Sequence, residues 1–422
     1  MSVICRESVE LESFVVDLAE RFKDVSFVKS VMEQEAEGGM TISVAVAYPA
    51  LCILFSELHA HFPDRGYDEC AHRYLEIVNN ALADQPVRSL SLFDGLCGVG
   101  YAAYCMSDYG RRYQNFIGQL NQMIAEIAQE TVEACQKKPL NEFCYDIMYG
   151  LSGTAEYLLN FACDKNIRSV LESILRYLTE LCRIGEDGYP LFAVKADQSY
   201  LISGNPDKDI KYVNLGLSHG IPGILQVLCR TYDNGVSVPG QKEAIQFLAG
   251  YLRDLCVQRG EEIFWEAQKI LNVVAEPEAA RDAWCYGTPG VAYSLLSAAR
   301  ILEDELMKSL AVYGMKCSMK RMKEIISPTF CHGLSGLCSL SRRFYEITGD
   351  REFLELELDG IDKIMEMYRE EFPFGFKNTE IIRGQVVDKD IIGILSGSCG
   401  VLLTILAGVK PVRTNWESLF ML

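Results

Sequence analysis

The sequence predicts an all-α fold, an α/α toroid of seven helical hairpins. Three observations carry that expectation. A short phrase (Gly, any residue, a small residue or Pro, Gly, then an apolar residue or Thr) occurs six times, starting at Gly95, Gly150, Gly220, Gly287, Gly333 and Gly397. Each copy leads into an apolar run of helical length, and at least one further helical stretch lies between copies. The runs after the phrases are small and apolar, whereas intervening stretches such as 111–130 and 351–371 carry many charges. An apolar inner ring inside an amphipathic outer ring accounts for that contrast. Repeat units of this kind share one continuous core, so residues 1–422 read as one domain despite their number.

In chain order, residues 9–35 read as one amphipathic helix, with Leu11, Phe14, Val15, Leu18 and Phe22 at helical spacing, followed by a break at Gly38-Gly39. Ala47-Tyr48-Pro49-Ala50-Leu51 matches the phrase with Ala in both Gly slots. It is counted as a seventh, degenerate repeat, as expected for a terminal unit. Outer helices are expected at Asn115–Cys135, Ile167–Cys182, Lys242–Gln258, Glu303–Ile325 and Glu352–Arg369. The shortest interval, Gly287 to Gly333, just holds two helices and two turns, so the longer intervals carry insertions. Two of these, Gly185–Asn214 and Phe372–Asp390, look irregular or strand-forming and each leads into a phrase. The first is the candidate for a small inserted lobe, and both are expected to rim one end of the toroid.

The phrase has a backbone rationale. Its first Gly allows a positive φ or a close approach at the turn. Pro at the third position suits a first helical turn, where no N–H is needed. The second Gly is expected to let one hairpin pack tightly on the next. All seven phrases therefore mark helix N-termini at the same end of the array.

Composition excludes several function classes. A net charge of −18 argues against nucleic acid as a partner, because phosphate binding needs a basic footprint. It suits a cationic peptide partner, or simply solubility. The sixteen Cys are scattered, several within apolar helical stretches (Cys52, Cys105, Cys229, Cys338). The stretch MSVICRESVELESF lacks a basic region followed by an apolar run. A reducing cytoplasm is expected, with most Cys serving as small buried hydrophobes. No apolar stretch reaches the ~18–20 residues of a spanning helix.

Two slots ahead of each first Gly hold chemically capable side chains that do not repeat. Immediately before it stand Asp94, Tyr149, His219, Tyr286, His332 and Ser396; one place further back stand Phe93, Met148, Ser218, Cys285, Cys331 and Leu395. Only five His exist, and His219 and His332 share one slot, while His59, His61 and His72 fall in a polar stretch and read as surface residues. Cys285, Cys331 and His332 belong to consecutive repeats and read as a Cys₂His zinc site with a fourth position left for substrate. Two thiolates offset the metal's charge and favour holding a third, substrate thiolate. The plainer reading is two buried Cys and a capping His. Asp146 is either an acid, base or His orienter, or a carboxylate favoured by a helix N-terminus. Arg281 either binds a substrate carbonyl or enolate oxygen or pairs with a surface acid. Tyr286 is a proton or hydrogen-bond donor, or core, and Trp284 is packing.

At RDAWCYGTPG and CHGLSG the chain resembles the lanthionine synthetase C family, the cyclases of class I lanthipeptide biosynthesis. YDIMYGLSG, LGLSHGIPG and GSCGV extend the resemblance over most of the chain, and the joint presence of WCYG and CHG is its specific part. The resemblance implies a seven-hairpin α/α toroid with one zinc ion per chain, ligated by Cys285, Cys331 and His332. It implies catalytic roles for His219, Asp146 and Arg281. Tyr286 matches the Tyr of bacterial members, where eukaryotic relatives carry His. The implied reaction adds Cys thiols of a dehydrated precursor peptide (leader plus core) to dehydroalanine or dehydrobutyrine, giving thioether rings. The implied partners are that peptide, a dehydratase and an exporter, in a cytoplasmic complex at the inner face of the membrane. Two other readings are a prenyltransferase-like zinc subunit, for which no Arg/Lys cluster near the phrases provides a diphosphate site, and a peptide-binding adaptor without turnover.

Overall fold

The computed structural model describes residues 2–35, 41–84, 87–202, 207, 209–273 and 275–422. The expected break at Gly38-Gly39 and positions 203–206 and 208 of the 185–214 stretch lie outside these. Helices α1 (Ser2–Arg21) and α2 (Val25–Gln34) are followed by six hairpins. These are α3 (Tyr48–His61) with α4 (Tyr67–Asp84), α5 (Leu96–Cys105) with α6 (Gln114–Cys135), and α7 (Leu151–Leu159) with α8 (Lys165–Leu181). Then come α9 (Ile221–Asp233) with α10 (Gln241–Asp254), α11 (Thr288–Leu302) with α12 (Glu305–Met319), and α13 (Leu334–Thr348) with α14 (Arg351–Glu366). The last helix, α15 (Ser398–Val409), packs on α1, so the two ends of the chain together make the seventh hairpin.

Helices α3, α5, α7, α9, α11, α13 and α15 form the inner ring, each touching the next, and α15 touches α3 to close it. Six of these start directly after a phrase glycine, and α3 follows Ala47 in the degenerate copy. The inner helices bury nearly every residue because they pack on both ring neighbours and the outer layer. Outer helices bury one stripe, as in α8, where Ile167, Leu171, Ile174, Leu175 and Leu178 are buried at helical spacing.

Closure is also written in the backbone. Going round the ring, Val44 N donates to Phe93 O (2.7 Å), Leu92 N to Met148 O (3.2 Å), Ile147 N to Ser218 O (3.1 Å) and Ser218 N to Cys285 O (3.2 Å). Cys285 N then donates to Cys331 O (3.2 Å), Cys331 N to Leu395 O (2.9 Å) and Leu395 N to Ala45 O (3.2 Å). Each acceptor stands two residues before its phrase's first glycine or Ala47. This circuit holds the seven loops level, so residues in equivalent slots meet at one end of the ring.

The middle of the ring is filled from within the chain. Trp416, Leu419, Phe420, Met421 and Leu422 are buried. Trp284 Nε1 donates to Phe420 O (3.0 Å), Gln226 Nε2 to Met421 O (2.9 Å), and Phe420 stacks on Phe330 with centroids 3.5 Å apart. Trp284 is therefore core, as expected.

Among the described residues, seven short strands lie outside the toroid. β1 (Val194–Lys195), β2 (Lys211–Asn214) and β5 (Gln268–Ile270) form an antiparallel sheet in the order β1-β2-β5, with Tyr212 opposite Ile270. β3 (Val257–Arg259) pairs with β4 (Glu262–Phe264), and β6 (Asn378–Ile382) with β7 (Gln385–Lys389). Strands β1 and β2 fall in the 185–214 stretch and β6 and β7 in the 372–390 stretch. The helix expected to run to Gln258 ends at Asp254, and the 257–270 segment supplies three more strands.

Two local expectations change. Residues 9–35 are two helices, because Asp24 stops the first and caps the second by accepting from Ser26 N and Phe27 N. The second phrase glycine packs first on its own lead-in. A Cβ on Gly336 would lie 2.2 Å from Phe330 O, as well as 2.9 Å from Trp284 Cβ of the preceding repeat. Positive φ is needed at one phrase glycine, Gly287 (+84°). Gly336→Ala is expected to cost about 1–3 kcal/mol through forced backbone movement. Urea unfolding checks this, and an unchanged midpoint would remove the packing argument.

Candidate functional site

Asp146 sits in the loop that enters α7 and is fully buried. Its Oδ1 accepts from Tyr149 N and Gly150 N, both at 2.7 Å, so it braces the turn that leads into α7, whose N-cap is Gly150. Its Oδ2 lies 2.7 Å from His219 Nδ1. The two sequence readings of Asp146 thus meet in one carboxylate, with one oxygen for the backbone and one for the imidazole. An ionised carboxylate accepts only, so Nδ1 carries the proton and Nε2 of the neutral ring keeps the lone pair. His219 has Tyr149 stacked at 6.2 Å (19°) on one side and Tyr286 at 6.2 Å (39°) on another.

Tyr286 is held by Asn214 Nδ2, which donates to its hydroxyl at 3.0 Å. Gly216 makes room for its ring, since a Cβ there would meet Tyr286 Cε1 at 2.6 Å. Burial pushes the Tyr286 phenol up to about 12. Burial, with Asp94 adding to it, pushes Tyr149 up to about 12. Both phenols therefore stay protonated as donors near neutral pH.

The next loops in the ring bring Cys285 and Cys331 together. Their thiols share a hydrogen bond, which lowers the Cys285 pKa, while the same bond and burial hold Cys331 well above its ordinary value. Ser218 joins this centre to the His219 loop, donating through both its N and its Oγ to Cys285 O (both 3.2 Å). His332 is buried, and burial followed by the charge of Arg281 lowers its pKa. Its Nε2 is buried with no hydrogen-bond partner among the described residues, and Glu380 Oε1 stands 3.4 Å away. Asn378 Nδ2 donates to that Glu380 oxygen at 2.8 Å, and the Asn378 Oδ1 accepts from Thr329 at 3.0 Å, so β6 crosses this end of the ring.

Arg281 is exposed and makes no ion pair among the described residues. The neighbouring Asp282 is taken by Arg321 at 2.7 Å. The Arg281 charge pulls down the pKa of the two thiols and of His332. Among the described residues no three His, Cys, Asp or Glu side chains are gathered closely enough to form a ready-made metal cage. The thiols are paired with each other and His332 faces Glu380.

The remaining His lie elsewhere. His72 is exposed and His59 partly so, near Asp68, whereas His61 corrects the surface reading: its side chain is 8 % exposed, 3.2 Å from Glu57. A cavity of about 430 Å³ lined by His59, Asp68, Tyr104 and Arg112 shares no residue with the Cys285–His219 region.

Residues that sequence reasoning missed are Tyr200, Asn214, Asn378 and Glu380. Tyr200 Oη lies 2.7 Å from Asp146 Oδ2 and 2.6 Å from His219 Nδ1. All four lie in the two stretches singled out as strand-forming, which is the only signal that pointed to them.

The family model described as "Lanthionine synthetase C-like protein" matches residues 40–421. The chain is 24 % identical over 374 residues to the nisin biosynthesis protein NisC of Lactococcus lactis subsp. lactis, covering 87 % of this chain and 85 % of the relative. It superposes on the solved structure of nisin cyclase with a TM-score of 0.80 at 20 % identity, covering 95 % and 97 % of the two chains. With a family match spanning nearly the whole toroid, the chain belongs to the lanthionine synthetase C-like family.

Proposed function

We propose that the chain is a zinc-dependent lanthipeptide cyclase. It would join Cys thiols of a dehydrated precursor peptide to dehydroalanine or dehydrobutyrine, giving lanthionine and methyllanthionine rings. The observation that carries this reading is the position of the Asp146–His219 pair one loop away from Cys285, to which Ser218 joins it, and two loops away from Cys331 and His332. A proton-transfer group and a thiol-binding centre then face one substrate.

The donor set fits zinc. Two thiols and one imidazole are the ligand types zinc prefers, and three ligands leave a position for substrate. The buried Nε2 of His332 lacks a hydrogen-bond partner among the described residues, as a ligating nitrogen would before metal binds. Cys285, Cys331 and His332 are the proposed ligands. Bound zinc supplies Lewis acidity that lowers the pKa of a substrate thiol.

The protein's own side chains account for the rest. The S–H proton leaves the peptide Cys, its Sγ bonds to Cβ of the dehydro residue, the Cα=Cβ π bond breaks, and a proton arrives at Cα. Atoms balance with no other reactant. His219 moves a proton at Nε2, because Asp146 occupies Nδ1. Arg281, without an ion-pair partner among the described residues, and the protonated phenol of Tyr286 stabilise the enolate oxygen. The partners of this reading are the precursor peptide and the dehydratase that prepares it, with an exporter downstream, at the cytoplasmic side of the membrane. No described helix is long and apolar enough to cross a membrane.

The test is a dehydrated precursor peptide incubated with the protein and then alkylated. Ring closure itself changes no mass, so the readout is Cys protection. Protected Cys is expected; full alkylation despite peptide binding would mark an adaptor instead.

A further inference from the structure

The Asp146–His219 pair has a third member that the repeat does not contain. Tyr200 comes from the 185–214 stretch, whose strand β2 anchors it to the toroid. Its ring lies flat on Phe143, with centroids 3.9 Å apart and 20° between planes. Ser199 Oγ donates to buried Glu142 at 2.9 Å and accepts from Leu201 N at 3.0 Å, pinning the turn. The hydroxyl is thereby delivered to both Asp146 Oδ2 (2.7 Å) and His219 Nδ1 (2.6 Å).

The protons in this triangle can be counted. Asp146 Oδ1 is committed to two backbone N–H groups, so Oδ2 alone serves both neighbours. An ionised carboxylate accepts from each, so Oη–H points to Oδ2, and Nδ1–H is shared between Oδ2 and the phenol oxygen 2.6 Å away. The phenol keeps its proton, because burial and the Asp146 charge push it far above its ordinary value.

We propose that Tyr200 is a positioning residue for His219: by donating to the Asp146 oxygen that holds Nδ1, its hydroxyl draws off carboxylate charge, so that Nε2, once it has taken a proton, readily passes it on to substrate. This rests on the cyclase reading for its role in turnover. The hydrogen-bond arrangement itself stands apart from that reading.

The sign follows from the count. With two donors on Oδ2, less negative charge faces the imidazolium. Removing the hydroxyl takes a neutral acceptor from Nδ1–H but leaves the full carboxylate charge on it, and the charged acceptor outweighs the neutral one, so the protonated ring is stabilised. The titratable groups facing His219 are Asp146, Tyr149, Tyr200 and Tyr286. Asp94 stands behind Tyr149, Glu142 behind the Ser199 turn, and Cys285 beyond Tyr286. Tyr200→Phe leaves all of these in place and keeps the stack on Phe143.

The experiment compares the full-length wild type with Tyr200→Phe. The His219 imidazole is titrated by nitrogen NMR without substrate, and cyclisation kinetics are measured separately. The titration midpoint is expected to rise by about half a unit or more. The kcat is expected to fall roughly tenfold with KM changed less than about twofold, the signature of a group acting on the chemical step. A purely structural Tyr200 would move neither the midpoint nor kcat alone, and that result overturns the inference. If the wild type fails to cyclise yet the midpoint moves, the cyclase reading falls and the positioning of His219 by Tyr200 stands.

Discussion

His219→Ala is expected to lower ring formation by roughly 10²–10⁴-fold, the usual range for loss of a positioned acid–base group. Metal content and melting behaviour should stay near wild type. His219 is the slot residue whose Nδ1 is held by a buried carboxylate, so its loss removes the group proposed to exchange a proton with substrate. It does not remove a proposed metal ligand, nor any of the backbone bonds that close the ring. Cysteine protection followed over time measures the effect. Rings formed at the wild-type rate would take His219 out of the mechanism and leave Arg281 and Tyr286 as the groups to test.

Glu417→Ala is expected to cost about 3–5 kcal/mol, the penalty for stranding a buried opposite charge. Glu417 is 2 % exposed and receives both Arg342 Nη2 and Arg343 Nη2, the latter at 2.6 Å. Arg342 is itself buried and also donates to Glu357 at 2.7 Å. This cluster ties the segment filling the ring to α13 and α14. Without Glu417, Arg342 shares only Glu357, whose own pKa burial already raises to about 7. The control is Glu33→Ala, which breaks the exposed Lys29–Glu33 pair at 3.8 Å and should change stability by less than ~0.5 kcal/mol. Denaturant midpoints for the two variants check the difference, and equal shifts would contradict the burial argument.

Much of the architecture is legible because one backbone requirement recurs. The phrase places each inner helix start, and the alternation of small and charged helices separates the two layers. Closure is not legible in the phrase. It depends on α15 meeting both α1 and α3 and on hydrogen bonds such as Leu395 N to Ala45 O, between residues at opposite ends of the chain. The continuous helix read over 9–35 misses the cap at Asp24, which outweighs the apolar spacing of its neighbours. Strand β5 is too short to leave a pattern and is set by pairing with β2.

The site divides the same way. The meeting of Cys285 with Cys331 follows from equivalent slots in adjacent repeats. Asp146 lies outside those slots, and it is held toward His219 by its other oxygen, which accepts from Tyr149 N and Gly150 N in the turn before α7. Tyr200 is placed by its stack on Phe143 and the bond of Ser199 to Glu142, and the β6–β7 hairpin by the bond of Asn378 to Thr329, so spacing along the chain carries no trace of their neighbours. His61 reads as a surface residue in its polar stretch, but Glu57 one helical turn earlier draws it inward.

The account stands most directly on the thiol centre, and metal analysis tests it. Protein supplied with zinc and freed of excess is expected to hold about one zinc per chain, and Cys331→Ala to hold little while keeping its helical spectrum. Wild-type protein that stays folded and retains no zinc, or Cys331→Ala that retains as much as wild type, would contradict the assignment of Cys285, Cys331 and His332.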